Sequence, residues 1–178
     1  MEAAYGAAGV DRYAAWVHET DGGMRAELSG RGYTVAETTR WMGMPLQGIS
    51  PTLGDRPFVR PTWAEYLRYL ENAGVPAGLL SGADPSRFHL LVARLAGESI
   101  ATALAFDHDG DCGVFNVSTL ERARRRGLGT ALTTRLLHDA LERGCSTASL
   151  QSTAMADRVY AAVGFRDLGT ILEYAPPT

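Results

Sequence analysis

The sequence predicts a mixed α/β (α+β) fold, on three observations. Strand-like and helical runs alternate through the C-terminal two-thirds of the chain. Three strand-like runs follow one another across short turns, as in an antiparallel meander. A long amphipathic helix then separates two strands, the spacing that a parallel crossover needs. The 178 residues, 46% hydrophobic and 21% charged, are enough for one domain, or for one domain with an appended piece. This composition excludes a largely disordered, collagen-like or coiled-coil protein. No run approaches the ~18 apolar residues of a membrane span, and the N-terminus lacks a basic region followed by an apolar one. Cys112 and Cys145 cannot build a disulfide framework, so a reducing cytoplasm is expected. All 17 basic residues are arginine, which together with the many alanines and glycines reflects a GC-rich coding bias. A net charge of −3 offers no field for nucleic acid.

Taken in order, Arg12 to His18 is strand-like, Asp21 to Arg31 helical, and Gly32-Tyr33 leads into an extended stretch ending Trp41-Met42-Gly43-Met44. Gly48 to Pro61, with prolines and glycines at 48, 51, 54 and 57, has the composition of a linker. Thr62-Trp63-Ala64-Glu65 has the form of a capping box and opens a helix with Trp63, Tyr66, Leu67 and Leu70 on its apolar face. Asn72-Ala73-Gly74 and Pro76 break it, and a short helix is expected from Pro76 to Leu80. Strands follow at Phe88–Leu95, Ser99–Phe106 and Cys112–Ser118, with a turn at Asp107–Asp111 between the last two. The helix opening at Leu128 carries Leu132, Leu136 and Ala140 on one stripe and ends at Gly144. A strand from Ser146 to Gln151, a helix to Gly164, and strands around Phe165 and over Thr170–Tyr174 complete the chain. The first 48 residues repeat the order of this C-terminal end. Laying Gly32-Tyr33 on Gly164-Phe165 sets Leu28 where Tyr160 stands, a degenerate half-repeat.

The chemistry concentrates in Val114-Phe115-Asn116-Val117-Ser118-Thr119, then Leu120 to Ala123, then Arg124-Arg125-Arg126-Gly127-Leu128-Gly129-Thr130. A strand here runs through a glycine-bearing turn into a helix. Unpaired amides and the helix dipole make such a start an anion cradle, glycines allow close approach to the backbone, and upstream arginines add charge-assisted bonds. A P-loop is excluded because the chain has no lysine, and a dinucleotide fingerprint because Leu132 holds its third glycine position.

What remains, Arg124-x-x-Gly127-x-Gly129 after a strand, with Tyr160-x-x-x-Gly164-Phe165 downstream, resembles the GCN5-related N-acetyltransferase (GNAT) family. The likeness is close over Phe88–Tyr174, with Thr62–Leu80 matching the family's first two helices. It implies a central, mostly antiparallel sheet flanked by helices, whose fourth and fifth family strands splay apart to hold acetyl-CoA. By position, the backbone of Val117, Ser118 and Thr119 would bond the pantetheine arm. Arg124, Arg125, Arg126, Gly127, Leu128, Gly129 and Thr130 would wrap the pyrophosphate, and Tyr160 would protonate the departing thiolate. A primary amine would attack the thioester directly. Glu121, Arg125 and Thr153 stand where the family has a common proline, a frequent glycine and an asparagine. No spacing selects a general base among Glu98, His108, Asp109 and Glu173.

The implied domain plan is a partial GNAT-like segment at 1–48, a linker at 49–61 and an N-acetyltransferase domain at 62–178. The abrupt start of that plan points to a chain beginning inside a longer tandem protein. The implied partner is a small-molecule or peptide amine, with no nucleic acid and no membrane; a homodimer burying edge strands is compatible with it. No metal is implied, since His18, His89, His108 and His138 lack ligand spacing. The rival readings are a non-catalytic acetyl-CoA sensor and a degenerate interaction module. Tyr160 is also readable as a core tyrosine beside Val159 and Val163, and the cysteines as small core residues.

Overall fold

Side-chain caps set two of the helix starts in the computed structural model, which describes residues 7, 13–49, 57–75, 80 and 82–177. Asp21 accepts the Met24 amide at 3.0 Å and opens α1 (Gly22–Gly30). Thr62 accepts the Glu65 amide at 3.2 Å and opens α2 (Trp63–Asn72). The third helix, α3 (Leu128–Glu142), and the fourth, α4 (Asp157–Val163), begin without a side-chain cap. The strands are β1 (Ala15–His18), β2 (Thr34–Pro45), β3 (Phe58–Val59), β4 (Phe88–Leu95), β5 (Glu98–His108), β6 (Asp111–Thr119), β7 (Thr147–Ser152) and β8 (Arg166–Ala175).

All eight strands form one sheet in the order β1-β8-β2-β7-β6-β5-β4-β3. Among the described residues only β6 and β7 pair in parallel, joined by the crossover through α3. The predicted mixed fold, with its antiparallel start and parallel centre, is therefore the observed one. Two details differ from the sequence reading. Phe58 and Val59, inside the expected linker, pair with Ala93 and Val92 as a short edge strand. The two strands expected around Phe165 and Thr170 are one strand, β8, which bulges opposite Trp41/Met42 and takes up the extra residue there. The helix expected over Pro76 to Leu80 falls on residues 76–79, outside those described, as do residues 50–56 of the linker.

The N-terminal segment lies inside this sheet. Strand β2 is bonded to β8 on one edge and to β7 on the other, while β1 pairs with the outer edge of β8. The β1–α1–β2 and β7–α4–β8 segments thus alternate strand by strand. Their helices also end alike: the Tyr33 amide bonds the Leu28 carbonyl at 3.0 Å, and the Phe165 amide bonds the Tyr160 carbonyl at 3.1 Å. Gly32 and Gly164 carry the positive φ (83° and 120°) that this helix ending requires.

The sheet's two faces are covered differently. On one, α3 buries Leu128, Leu132, Leu136, Leu137 and Ala140 against Ala101, Ala103, Ala105, Cys112, Val114 and Leu150. On the other, α2 buries Tyr66, Tyr69 and Leu70 against Leu90 and Leu104. A third cluster, around Leu28 and Tyr33, holds β1 and α1 to β8 through Tyr174. The α3 end is stapled by Arg143, whose Nε and Nη2 donate to Asp107 at 2.6 and 2.9 Å.

Removing residues 1–48 deletes the strand between β7 and β8 and exposes both edges. The truncated protein is expected to lose its cooperative thermal transition in circular dichroism. A soluble remainder that melts as sharply as the full chain would show that β2 is dispensable.

Candidate active site

The site is built around a change of phase in β6. Its residues Asp111, Cys112, Gly113 and Val114 pair with Thr147, Ala148, Ser149 and Leu150 of β7; beyond Val114 the two strands part. On the other edge β6 continues along β5, but Leu104 pairs with Phe115 and Thr102 with Ser118, so Ala103 faces two residues. Asn116 takes a left-handed backbone there, φ 48°, a conformation that asparagine tolerates better than most residues. This bulge shifts the inside–outside alternation by one. Val117 and Thr119 therefore face the cleft beside α3, while Ser118 turns to the α2 face and hydrogen-bonds Tyr69.

The chain next makes a short 3-10 turn, Glu121–Ala123, and enters α3 through two left-handed residues, Arg125 (φ 60°) and Gly127 (φ 69°). Gly127 is the N-cap; no side chain caps the helix and no acidic residue stands in its first turn. The amides at the start of α3, and the positive pole of its dipole, thus have no anionic partner among the described residues. A Cβ at Gly127 would project into open space, whereas one at Gly129 would touch Val117 and Val159 at 3.8 Å. The Arg124 Nε donates to the Thr119 carbonyl at 3.2 Å, which anchors its guanidinium beside the cleft.

Round this cleft of about 250 Å³ the structure gathers Val117, Thr119, Arg124, Arg125, Gly127, Leu128, Gly129, Thr130 and Tyr160. Two residues singled out from the sequence lie outside it. Ser118 is turned away by the bulge, and Arg126 folds back to the Arg122 carbonyl at 3.4 Å. Four lining residues were not singled out as site residues in the sequence: Ala123, from the 3-10 turn, and Met155, Ala156 and Val159, from the β7–α4 connection and the face of α4 that carries Tyr160. Helical spacing from Tyr160 could have found Ala156, one turn earlier.

Tyr160 is 7% exposed and meets Phe165 edge to face, with centroids 6.0 Å apart. Burial pushes its phenol up to about 12. None of the four candidate bases lines the cleft. Glu98 pairs with Arg122 at 2.5 Å, His108 lies beside Asp109 in the β5–β6 turn, and Glu173 takes the Trp16 indole N–H at 3.1 Å. A larger cavity, about 410 Å³, lies between α2 and the β4–β5 turn and shares no residue with the cleft. Its acids are already engaged, Glu65 by Arg94 and Ser99 and Glu98 by Arg122. The smaller cleft is the one with an oriented, unpaired set of donors. Among the described residues no three His, Cys, Asp or Glu side chains gather as a metal site, and no helix is long and apolar enough to cross a membrane.

Comparison with known proteins places this fold in a family. The model of the Acetyltransferase (GNAT) family matches residues 55–165. The chain belongs to that family. It is an N-acetyltransferase by class, and solved structures agree on the fold. A GCN5-related N-acetyltransferase from Kribbella flavida superposes with a TM-score of 0.76 at 23% identity, covering 99% of this chain and 72% of that one. One from Sphaerobacter thermophilus gives 0.66 at 18%, covering 92% and 59%. The ribosomal-protein-S18-alanine N-acetyltransferase of Escherichia coli gives 0.55 at 20%, covering 68% and 92%. Among curated proteins, none matches the sequence.

Tyr66 and Tyr160 are both held near 12 by burial, against 10.0 for a free phenol. A raised folded-state value means that the folded protein keeps protons which the unfolded chain gives up. The stability they contribute is complete below pH 10 and is lost as pH rises toward 12. Urea melts between pH 9 and 12 should show the midpoint falling only in the upper part of that range. A flat midpoint, or phenols that ionise with the free value, would contradict the burial of both.

Proposed function

We propose that this N-acetyltransferase moves an acetyl group from acetyl-CoA to a primary amine by direct attack of the amine on the thioester. The observation that carries this reading is the pairing of an uncapped helix start with a strand whose peptide groups are freed by the splay. The cleft fits such a donor: Gly127 leaves open space where a Cβ would intrude, and the α3 amides and Arg124 and Arg125 offer bonds to a diphosphate. On the same reading the β6 backbone from Val117 to Thr119 takes the amide groups of the pantetheine arm. Bound acetyl-CoA would supply the activated acyl group, and the chain's own part is to orient it and manage one proton.

Tyr160 suits the role of acid. With its phenol near 12 it stays protonated throughout the neutral range, so it can donate to a leaving thiolate but does not serve as a base. The remaining work is positional: the splay holds the thioester where an amine can approach from the opposite face of the sheet. On that face, Phe115 and Trp41 expose their rings beside the point where β6 and β7 part, a setting that suits a small-molecule or peptide amine. A cytoplasmic setting suits the two free, buried cysteines, Cys112 with its thiol pushed up to about 12 by burial.

Calorimetric titration with acetyl-CoA tests the donor, beside a Gly127→Glu variant that puts a carboxylate into the anion cradle. Saturable binding by the native chain, lost in the variant, is expected; no binding by the native chain would refute the donor assignment. An amine-library screen with thiol detection then tests Tyr160→Phe. A fall in kcat of about 100-fold is expected for loss of a general acid, with the affinity for acetyl-CoA retained. An unchanged kcat would remove Tyr160 from the chemistry, and binding without turnover of any amine would favour a sensor.

A further inference from the structure

The helix on the far side of the sheet touches the donor strand at two alternate positions. Tyr66 and Tyr69 lie three residues apart on the buried face of α2. The Asn116 Nδ2 donates to the Tyr66 hydroxyl at 3.1 Å. The Tyr69 hydroxyl lies in hydrogen-bonding reach of Ser118 and of the Leu120 backbone, and donates to the Ile100 carbonyl at 3.5 Å. Both rings are buried, Tyr66 completely, so neither touches a ligand in the cleft between α3 and β6.

Their partners are the residues on which the phase of β6 turns. Asn116 is the left-handed residue of the bulge, and Ser118 is the first residue after it to point toward α2. Without the bulge, strict alternation from Val114 would put Asn116 and Ser118 on the α3 face and carry Val117 and Thr119 out of the cleft. A side chain with φ near +50° sits in a sparsely populated region and persists only where its surroundings impose it. Here the contact is the bond to Tyr66: Asn116 itself is exposed, but the Tyr66 hydroxyl is fully buried and would be costly to leave without its partner.

We infer that Tyr66 is a positioning residue for donor binding: through its bond to Asn116 it holds the bulge that turns Val117 and Thr119, and the freed backbone between them, toward acetyl-CoA. Tyr69 supports the same phase through Ser118. This rests on the donor assignment made above and deepens it, since it makes α2, which lies on the opposite face of the sheet, a determinant of donor affinity.

The test is calorimetric titration of the full chain with acetyl-CoA, well below each variant's melting temperature, for the native protein, Tyr66→Phe, Asn116→Gly and the double variant. Glycine at 116 keeps the left-handed backbone available and removes the bond. Each single change is expected to weaken binding by about tenfold, the worth of one hydrogen bond near the upper end of the usual range. The double variant should bind no worse than either single one, because one bond is lost in all three. Asn116→Asp, whose carboxylate can accept from the Tyr66 hydroxyl, should recover most of the affinity in the native background and none in Tyr66→Phe. A merely structural role would lower the melting temperature and leave the dissociation constant of the folded fraction unchanged. Affinities within twofold of native in the Asn116→Gly protein, or additive losses in the double variant, would overturn the inference and leave the donor assignment standing. Absence of binding by the native chain would overturn both. If Tyr66→Phe does not fold, the contrast between Asn116→Gly and Asn116→Asp decides alone: equal affinities overturn the inference, and a recovery in Asn116→Asp supports it.

Discussion

Two parallel strands that stay together from Asp111/Thr147 to Val114/Leu150 and then separate govern the site. Separation normally carries a cost, because each strand leaves an edge of peptide groups unbonded. Here each keeps one full neighbour. Strand β6 stays on β5 through the bulge, and β7 stays on β2 from Thr147 to Ser152. The N-terminal segment, which contributes nothing to the cleft's lining, thus lets β7 leave β6 without becoming an isolated ribbon. On the open side, the unbonded groups of β6 form a ready-made edge for an amide-bearing ligand, in the manner of strand addition.

The helix that bridges the separated strands is the other half of the arrangement. Six residues of α3, from Leu128 to Ala140, are buried, which fixes its start relative to β6. A single large-to-small change there, such as Leu136→Ala, removes about 2–5 kcal/mol of packing. The start itself is left electrically incomplete, with free amides, no acid and two arginines beside it. Arg125 occupies a left-handed backbone position where glycine would sit at no cost, a strain of about 1–2 kcal/mol. That cost falls on a residue of the cleft wall, just before the turn into α3.

Much of this was legible because the signals were local. The capping box at Thr62, the glycine-ended helices and the Arg124-x-x-Gly127-x-Gly129 turn each depend on a few adjacent residues, and the elements stand where those residues predict. The strand-helix-strand order of the first 48 residues was also visible. Its place in the sheet was not, since insertion of β2 between β7 and β8 depends on pairings more than a hundred residues apart. The direction of the Ser118 side chain, toward α2 rather than the cleft, was hidden for a subtler reason. Counting along β6 assumes strict alternation, and one bulged residue reverses it. A sign was present: the valines of Val114-Phe115-Asn116-Val117 that share the α3 face are spaced by three rather than two, with asparagine, a residue at ease in a left-handed turn, between them. Tyr66 looked like part of an ordinary apolar face because its hydroxyl acts on a distant strand.

Residue-resolved amide hydrogen exchange along β6, measured without and with saturating acetyl-CoA, addresses the splay itself. Amides from Asp111 to Val114 should be protected in both states. Those between Asn116 and Thr119 that face away from β5 should exchange freely in the unliganded protein and become protected when acetyl-CoA is added. Protection of those amides before any ligand is present, or fast exchange that acetyl-CoA leaves unaltered, would contradict a donor edge made by the parting of β6 from β7.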